Sequence, residues 1–417
     1  MSRSFARGAL LLGAVATLNS CDSDADVLNP PVVDPLFDSY VAIGNSITAG
    51  FQSGGINDST QRLSYAAILA RQMGTRYAFP ALRMPGCPPP LTSLLTGARV
   101  TLPGAPPSTA ATCALRDITV VDSVPLAPTT LNNVAVPGLG TADATALGTA
   151  APRNNPLTQL ILGGQTMVQK AIDVRPTFAT VWMGNNDVLA PALSGLPSGA
   201  TPGSTFQANY AKMIDELLLG APGVQGVLIA VGQVAGLPIL IQAAALQAVL
   251  STPAGAAAVA QIAGRPVILD PVTCSGAGLT SLINLEYIVQ IRLRPPALPG
   301  IVFCQKIGGT PDLGDVGILD PAEQLTVRNL INGYNTYIKA KADSIGFAFY
   351  DPNPLFTNLR ATGAIPPFPI LTSPQTFGQF ISLDGIHPST LGHVTLANEI
   401  IAVINAKYGT TLSTVVP

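Results

Sequence analysis

Charge is scarce in this 417-residue chain: Asp, Glu, Lys and Arg make up 11% of it, against roughly 25% in an average soluble domain. With hydrophobic residues at 47%, a large core is available and the surface must be unusually neutral. Basic residues number 21 against 23 acidic ones, and no Lys/Arg-rich run occurs. Nothing can therefore track a phosphate backbone, and nucleic acid is excluded as a partner. Histidine occurs only at positions 387 and 393, and no Cys-x-x-Cys is present, so the usual ligand sets for a structural metal are missing. The 40 glycines and 38 prolines are scattered without a period, which rules out collagen-like and solenoid architectures and leaves many turns around a core.

What is present begins with an address. Arg3 and Arg7 precede an apolar run over residues 9–17 that is too short to span a bilayer, so residues 1–20 read as a secretory signal. Its end, Leu18-Asn19-Ser20-Cys21, resembles a bacterial lipobox, with Cys21 as the lipidated residue; an ordinary cleaved signal with an incidental cysteine is the alternative. Residues 21–36, rich in Asp and Pro, then read as a tether. The five cysteines agree with export: with Cys21 set aside, four remain to pair. Cys87 and Cys113 bracket one Pro/Thr/Ala-rich excursion, Cys274 and Cys304 another, so nearest-neighbour pairing is preferred among three connectivities, with free buried thiols as the alternative. Neither pair touches the candidate site in sequence, so reduction is expected to lower stability before rate.

Four short blocks carry candidate chemistry. A β-branched and aromatic run over residues 40–43 stops at Gly44-Asn45-Ser46, which sets the Ser46 hydroxyl at the carboxyl end of a strand, where open α/β sheets bind ligands. Asn133-Val134-Ala135-Val136-Pro137 runs into Gly138-x-Gly140; this is half a dinucleotide fingerprint, but Asp143 stands where a third small residue is needed, so NAD is not expected and a bare backbone N–H for an anion is. Residues 178–183 form a continuous apolar strand that breaks at Gly184-Asn185-Asn186-Asp187, taken alone an Asx-turn as much as a site. Finally, Asp384 and His387 stand three apart across a glycine, a spacing that lets the carboxylate reach Nδ1 while Nε2 faces outward. His393 falls inside a C-terminal helical pattern and reads as a packing residue.

Between these blocks, residues 64–73, 206–219, 323–342 and 391–408 have helical patterning, and residues 77–82, 226–231 and 347–350 read as strands. In residues 323–342 the apolar stripe is read as Leu325, Leu330, Ile331, Tyr334 and Ile338. Residues 217–264 hold no charged residue, yet Gly and Pro break them before about twenty apolar residues can accumulate. Residues 239–250 fit an apolar helix, inside an insertion over about 237–322 that is expected to cap the site, with contact at a membrane interface as the lesser reading; a first insertion covers about 85–130.

Taken together and in this order, the four blocks over residues 37–410 resemble those of SGNH/GDSL-type hydrolases, and the chain looks like a lipid-anchored bacterial member. The resemblance implies a three-layer α/β/α, flavodoxin-like fold with a mostly parallel sheet of about five strands in residues 37–417. It implies Ser46 as nucleophile, His387 as base and Asp384 as its orienter, with the Ser46 and Gly138 N–H groups and the Asn186 side chain as oxyanion hole. Asn45 stands where the family often has Asp, which concerns turn geometry more than chemistry. The expectation is thus an exported serine esterase or lipase, anchored to the cell envelope on its periplasmic or surface side, needing no cofactor. The apolar insertion tilts its ester substrate toward a hydrophobic acyl group. A carbohydrate O-acetyl esterase and a non-catalytic binding lipoprotein are the rivals.

Overall fold

The computed structural model describes residues 34–114, 130–293, 300–305, 317–371 and 373–416. The leader over residues 1–20, Cys21 and the tether as far as residue 33 lie outside the described residues, as do 115–129 of the first insertion and 294–299 and 306–316 of the second.

Four strands form the central sheet: β1 (Tyr40–Gly44), β2 (Phe178–Trp182), β3 (Gln225–Ile229) and β4 (Ala348–Tyr350), adjacent in that order and all parallel. Each strand of β1 and β2 is buried along its whole length, as continuous apolar runs covered on both faces should be. The pleat divides their side chains. Tyr40, Phe178, Thr180 and Trp182 face one layer: the Tyr40 hydroxyl bonds Thr180 Oγ1 at 2.8 Å, Trp182 meets Tyr65 edge-on and Phe178 meets Tyr408. That layer is α2 (Tyr65–Met73) against α6 (Thr390–Tyr408). Val41, Ile43, Ala179, Val181 and Leu228 join the other core, with α3 (Met167–Ile172), α4 (Gly203–Gly220) and α5 (Pro321–Ile345). The result is the expected three-layer α/β/α arrangement.

Local chemistry sets the helix ends. Ser64 Oγ accepts the Ala67 N–H at α2, whose last turn closes on Gly74 in the left-handed region. At α5 the run Asp320-Pro321-Ala322-Glu323 forms a reciprocal capping box, with Glu323 N–H on Asp320 Oδ1 at 2.8 Å and Asp320 N–H on Glu323 Oε2 at 3.0 Å. The stripe buried by α5 is Val327, Ile331, Tyr334, Ile338 and Ala342; Ile331, Tyr334 and Ile338 lie on it as expected, whereas Leu325 is exposed and Leu330 half-buried.

Three expectations differ from the structure for identifiable reasons. The fifth strand is a parallel segment rather than a strand: residues 132–136 bond to β1 through Ala42 N–H to Asn132 O, Val134 N–H to Ala42 O and Val136 N–H to Gly44 O, but the Ala135 N–H turns back to Asn133 Oδ1. Residues 77–82 form no strand: Ala78 is bonded by Asn132 and Asn133, and the Gln61 side chain donates to Pro80 O and accepts from Leu82 N–H. Residues 239–250 divide: Leu240–Gln242 pairs antiparallel with Leu282–Asn284, and the helix occupies only Ala243–Leu250. Among the described residues no single helix is long and apolar enough to cross a membrane; Ala243–Leu250 and Pro253–Ala263 are bent by 114° from each other.

Candidate active site

β1 ends at Gly44, and Ser46 opens the short helical turn α1 (Ser46–Ala49) directly beyond it. Asn45, before it, is buried, has neither amide atom hydrogen-bonded among the described residues and gives this turn no side-chain cap. Ser46 Oγ lies 2.8 Å from His387 Nε2, and His387 Nδ1 lies 2.8 Å from Asp384 Oδ2. The structure therefore brings the three residues into one hydrogen-bonded chain across 341 positions of sequence. His387 is 8% exposed, with its ring 4.9 Å from that of Phe51.

The carboxylate is heavily hydrogen-bonded. Asp384 Oδ1 accepts the backbone N–H of Ile386 at 2.9 Å and His387 at 2.8 Å and the Ser382 hydroxyl at 3.2 Å, while Oδ2 also accepts the Gly54 N–H at 2.7 Å. Burial pushes its pKa up, but the adjacent imidazole and the donors from His387 and Gly54 outweigh burial and hold it at about 2. It is a fixed anion at neutral pH.

The Gly-Asn-Asn-Asp block forms a turn that joins two of the others. Gly184 sits at φ +119°, where a side chain would also strike Val231 Cγ2 and the Phe206 ring, so only glycine fits. Asn186 Nδ2 donates to Leu139 O at 2.9 Å, which ties this turn to the Gly138 loop. Asp187 is buried and binds that loop a second time: Oδ2 accepts the Thr141 N–H and Oδ1 the Thr141 hydroxyl, at 2.8 and 2.7 Å. Burial raises its pKa against these donors and Arg153. Asp143 closes the same loop on Gly140 N–H and Arg153. Asp187, Thr141 and Asp143 were not singled out as site residues in the sequence; the one available signal was a carboxylate directly after Asn186.

Ser46, Asn186 and His387 line one cleft, with walls dominated by Trp182, Leu189, Leu237, Phe356, Ile365 and Ile381. Gly138 is exposed beside it and does not line it. Of the insertion's described residues, Leu237 and Pro238 line the cleft. The insertion's root also braces the His387 loop, through Ile239 N–H to Gly385 O at 3.1 Å. His393 is fully buried within α6, with Nδ1 accepting the Tyr65 N–H at 3.2 Å. Among the described residues no group of three His, Cys, Asp or Glu could hold a metal ion. Disulfides join Cys87 to Cys113 and Cys274 to Cys304. The first closes a segment that reaches the turn behind Asp384: Arg99 Nη1 donates to Gly54 O at 3.1 Å.

Comparison with known proteins defines the class. The profile of the GDSL-like lipase/acylhydrolase family matches residues 40–400, and the chain belongs to that family of ester-hydrolysing enzymes. Among solved structures it is similar to an extracellular lipase from Streptomyces rimosus, at 14% identity and TM-score 0.38 over 88% of this chain and 99% of that one. It is also similar to a family two carbohydrate esterase from Clostridium thermocellum in complex with cellohexaose, at 13% identity and TM-score 0.35, covering 90% of this chain and 66% of that one. No curated protein matches the sequence.

Proposed function

We propose that this chain hydrolyses carboxylic esters through an acyl-enzyme formed on Ser46. His387 Nε2 takes the serine proton as Oγ attacks the carbonyl, then delivers it to the departing alcohol; water repeats the cycle in reverse and frees the acid. Asp384 holds the imidazole in the tautomer with its proton on Nδ1 and stabilises the cation that forms. The Ser46 and Gly138 N–H groups and the second N–H of Asn186 receive the oxyanion. One observation carries this reading: the unbroken line Ser46 Oγ, His387, Asp384, with both hydrogen bonds at 2.8 Å.

The cleft favours a hydrophobic acyl group. Its apolar walls would gain about 0.8 kcal/mol, or about fourfold in kcat/KM, for each CH₂ they bury. A purely binding lipoprotein has no need of a carboxylate held ionised behind a histidine on a serine. The reading includes export by residues 1–20 and a lipid on Cys21, with residues 21–36 as tether, which places the enzyme on the periplasmic or surface side of the envelope; two disulfides suit that compartment. The deciding experiment is kcat/KM on p-nitrophenyl esters of increasing acyl length, with Ser46→Ala as control. The value should climb with chain length until the cleft is full. If acetyl esters prove best, a carbohydrate O-acetyl esterase replaces the lipase reading.

A further inference from the structure

Asp384 takes its Oδ2 hydrogen bonds from two places, His387 Nδ1 and the Gly54 N–H, and the second comes from a turn with strain in it. Residues 52–55 form a two-residue hairpin, closed by Gln52 N–H to Gly55 O and Gly55 N–H to Gln52 O. Both central residues are left-handed, Ser53 at φ +54° and Gly54 at φ +65°. For Gly54 this is free, but a serine there costs about 1–3 kcal/mol and stays only if its surroundings hold it.

The holding groups come from the segment closed by Cys87–Cys113. Leu91 N–H donates to Ser53 O at 2.7 Å, fixing the very peptide whose N–H faces Asp384. Arg99 Nη1 grips the next carbonyl, Gly54 O, at 3.1 Å and the segment's own Pro89 O at 2.6 Å. Among the described residues Arg99 has no carboxylate partner; its guanidinium is committed to these two carbonyls. Arg99 is pinned in turn by pairing with Leu91 and by its N–H on Ser108 O. On the other side of the hairpin, Ser53 N–H donates to Ser382 Oγ at 2.8 Å and Ser53 Oγ accepts Leu383 N–H at 3.2 Å, so the turn is clamped against the loop that carries Asp384.

We propose that the segment from Cys87 to Cys113 is a positioning element of the active site, and that Arg99 is the positioning residue that keeps the Gly54 N–H on Asp384. Resting on the esterase reading above, this makes the orientation of His387 depend on a cross-linked loop that touches no substrate. Without the Arg99 grip the Ser53–Gly54 turn relaxes, Asp384 loses a donor and swings, and the imidazole follows it; misplacements of this size cost about ten- to hundredfold in rate.

The test measures kcat, KM and the downfield proton resonance of His387 Nδ1–H in Arg99→Ala, Arg99→Lys and Arg99→Gln, each assayed well below its melting temperature. Arg99→Ala should lower kcat by about ten- to hundredfold with KM barely moved, and should shift or broaden the resonance. Arg99→Lys, which can still donate to both carbonyls, should restore much of both. If Arg99→Ala does not fold, Arg99→Gln is read in its place. Cys87→Ser/Cys113→Ser should act in the same direction as Arg99→Ala, while Cys274→Ser/Cys304→Ser should leave kcat and the resonance unchanged. Normal kcat and an unshifted resonance in the Arg99 variants, with Ser46→Ala inactive, would overturn this inference alone; full activity in Ser46→Ala would instead overturn the esterase mechanism beneath it.

Discussion

The two histidines are separated by what their ring nitrogens meet. His387 lies between a hydroxyl and a carboxylate, whereas His393 has a backbone N–H on Nδ1 and, among the described residues, no partner for Nε2. Burial, with some help from the charge on His387, pushes the pKa of His393 down to about 3. The unfolded chain accepts that proton near pH 6.5, at about the ordinary histidine value. Between those limits the unfolded state binds more protons, so stability falls as pH drops. Urea unfolding should therefore show a clear loss from about pH 7 to about pH 5, and His393→Asn, which keeps an acceptor for Tyr65 N–H, should flatten it; an unaltered slope would show the ring does not stay neutral. Asp384 adds a second, more acidic window: its lowered pKa stabilises the fold above the ordinary carboxylate value, by about 2 kcal/mol, and this is lost between about pH 4 and about pH 2. On the chemistry itself, Ser46→Ala and His387→Ala should each abolish labelling by a fluorophosphonate and His393→Ala should not. Asn186→Ala should lower kcat by about 10²–10³ and leave KM nearly alone; a change in KM only would return this residue to a turn cap.

At the scale of elements, the turns hold the site together more than the strands do. The Gly184 turn and the Gly138 loop interlock through Asn186 and Asp187, so an error in one displaces both. Gly184→Ala would force a strained backbone and a 2.6 Å contact with Val231 Cγ2, and is expected to destabilise by about 1–3 kcal/mol while also lowering kcat. Melting and kinetics on the same preparation check this; wild-type kinetics would mean the turn does not set Asn186. The two disulfides, of similar loop length at separations of 26 and 30, should each contribute about 3 kcal/mol on the chain-entropy model. Their equal stability effects and unequal kinetic ones would distinguish a brace for the site from a brace for the fold.

For the whole molecule, the questions are what it acts on and where it is held. The cleft wall is assembled from distant parts of the chain: Trp182 at the end of β2, Leu237 at the root of the insertion, and Phe356 and Ile365 after β4. Leu237→Ala should therefore weaken long-chain esters more than short ones, by about tenfold or less for the methyl groups removed; equal losses on both would place the acyl chain elsewhere. Cys21→Ser should move the protein from the membrane to the soluble fraction, and unchanged membrane association would turn attention to Ala243–Leu250 and Pro253–Ala263.

Much of this was legible in the residues alone. Parallel strands covered on both faces appear as continuous apolar runs, and β2 and β3 were recognisable as such; the helix read over residues 323–342 runs in fact over Pro321–Ile345, its start set by the Asp320 cap. The order of the four blocks and the Asp384–His387 spacing named the residues that meet. Periodicity, however, reports which side of an element is apolar and nothing about which distant group will satisfy a given N–H. The bond from Gly54 to Asp384 spans 330 positions, and the grip of Arg99 on Gly54 depends on a hairpin whose conformation no pattern announces. Residues 77–82 make no strand because distant side chains and backbone, from Gln61, Asn132 and Asn133, take their polar groups. The sequence by itself determined the layers, the candidate site residues and their order along the chain; only the tertiary structure decided which loops hold those residues in line, because each such hydrogen bond is made by backbone that is identical at every position until folding gives it a partner.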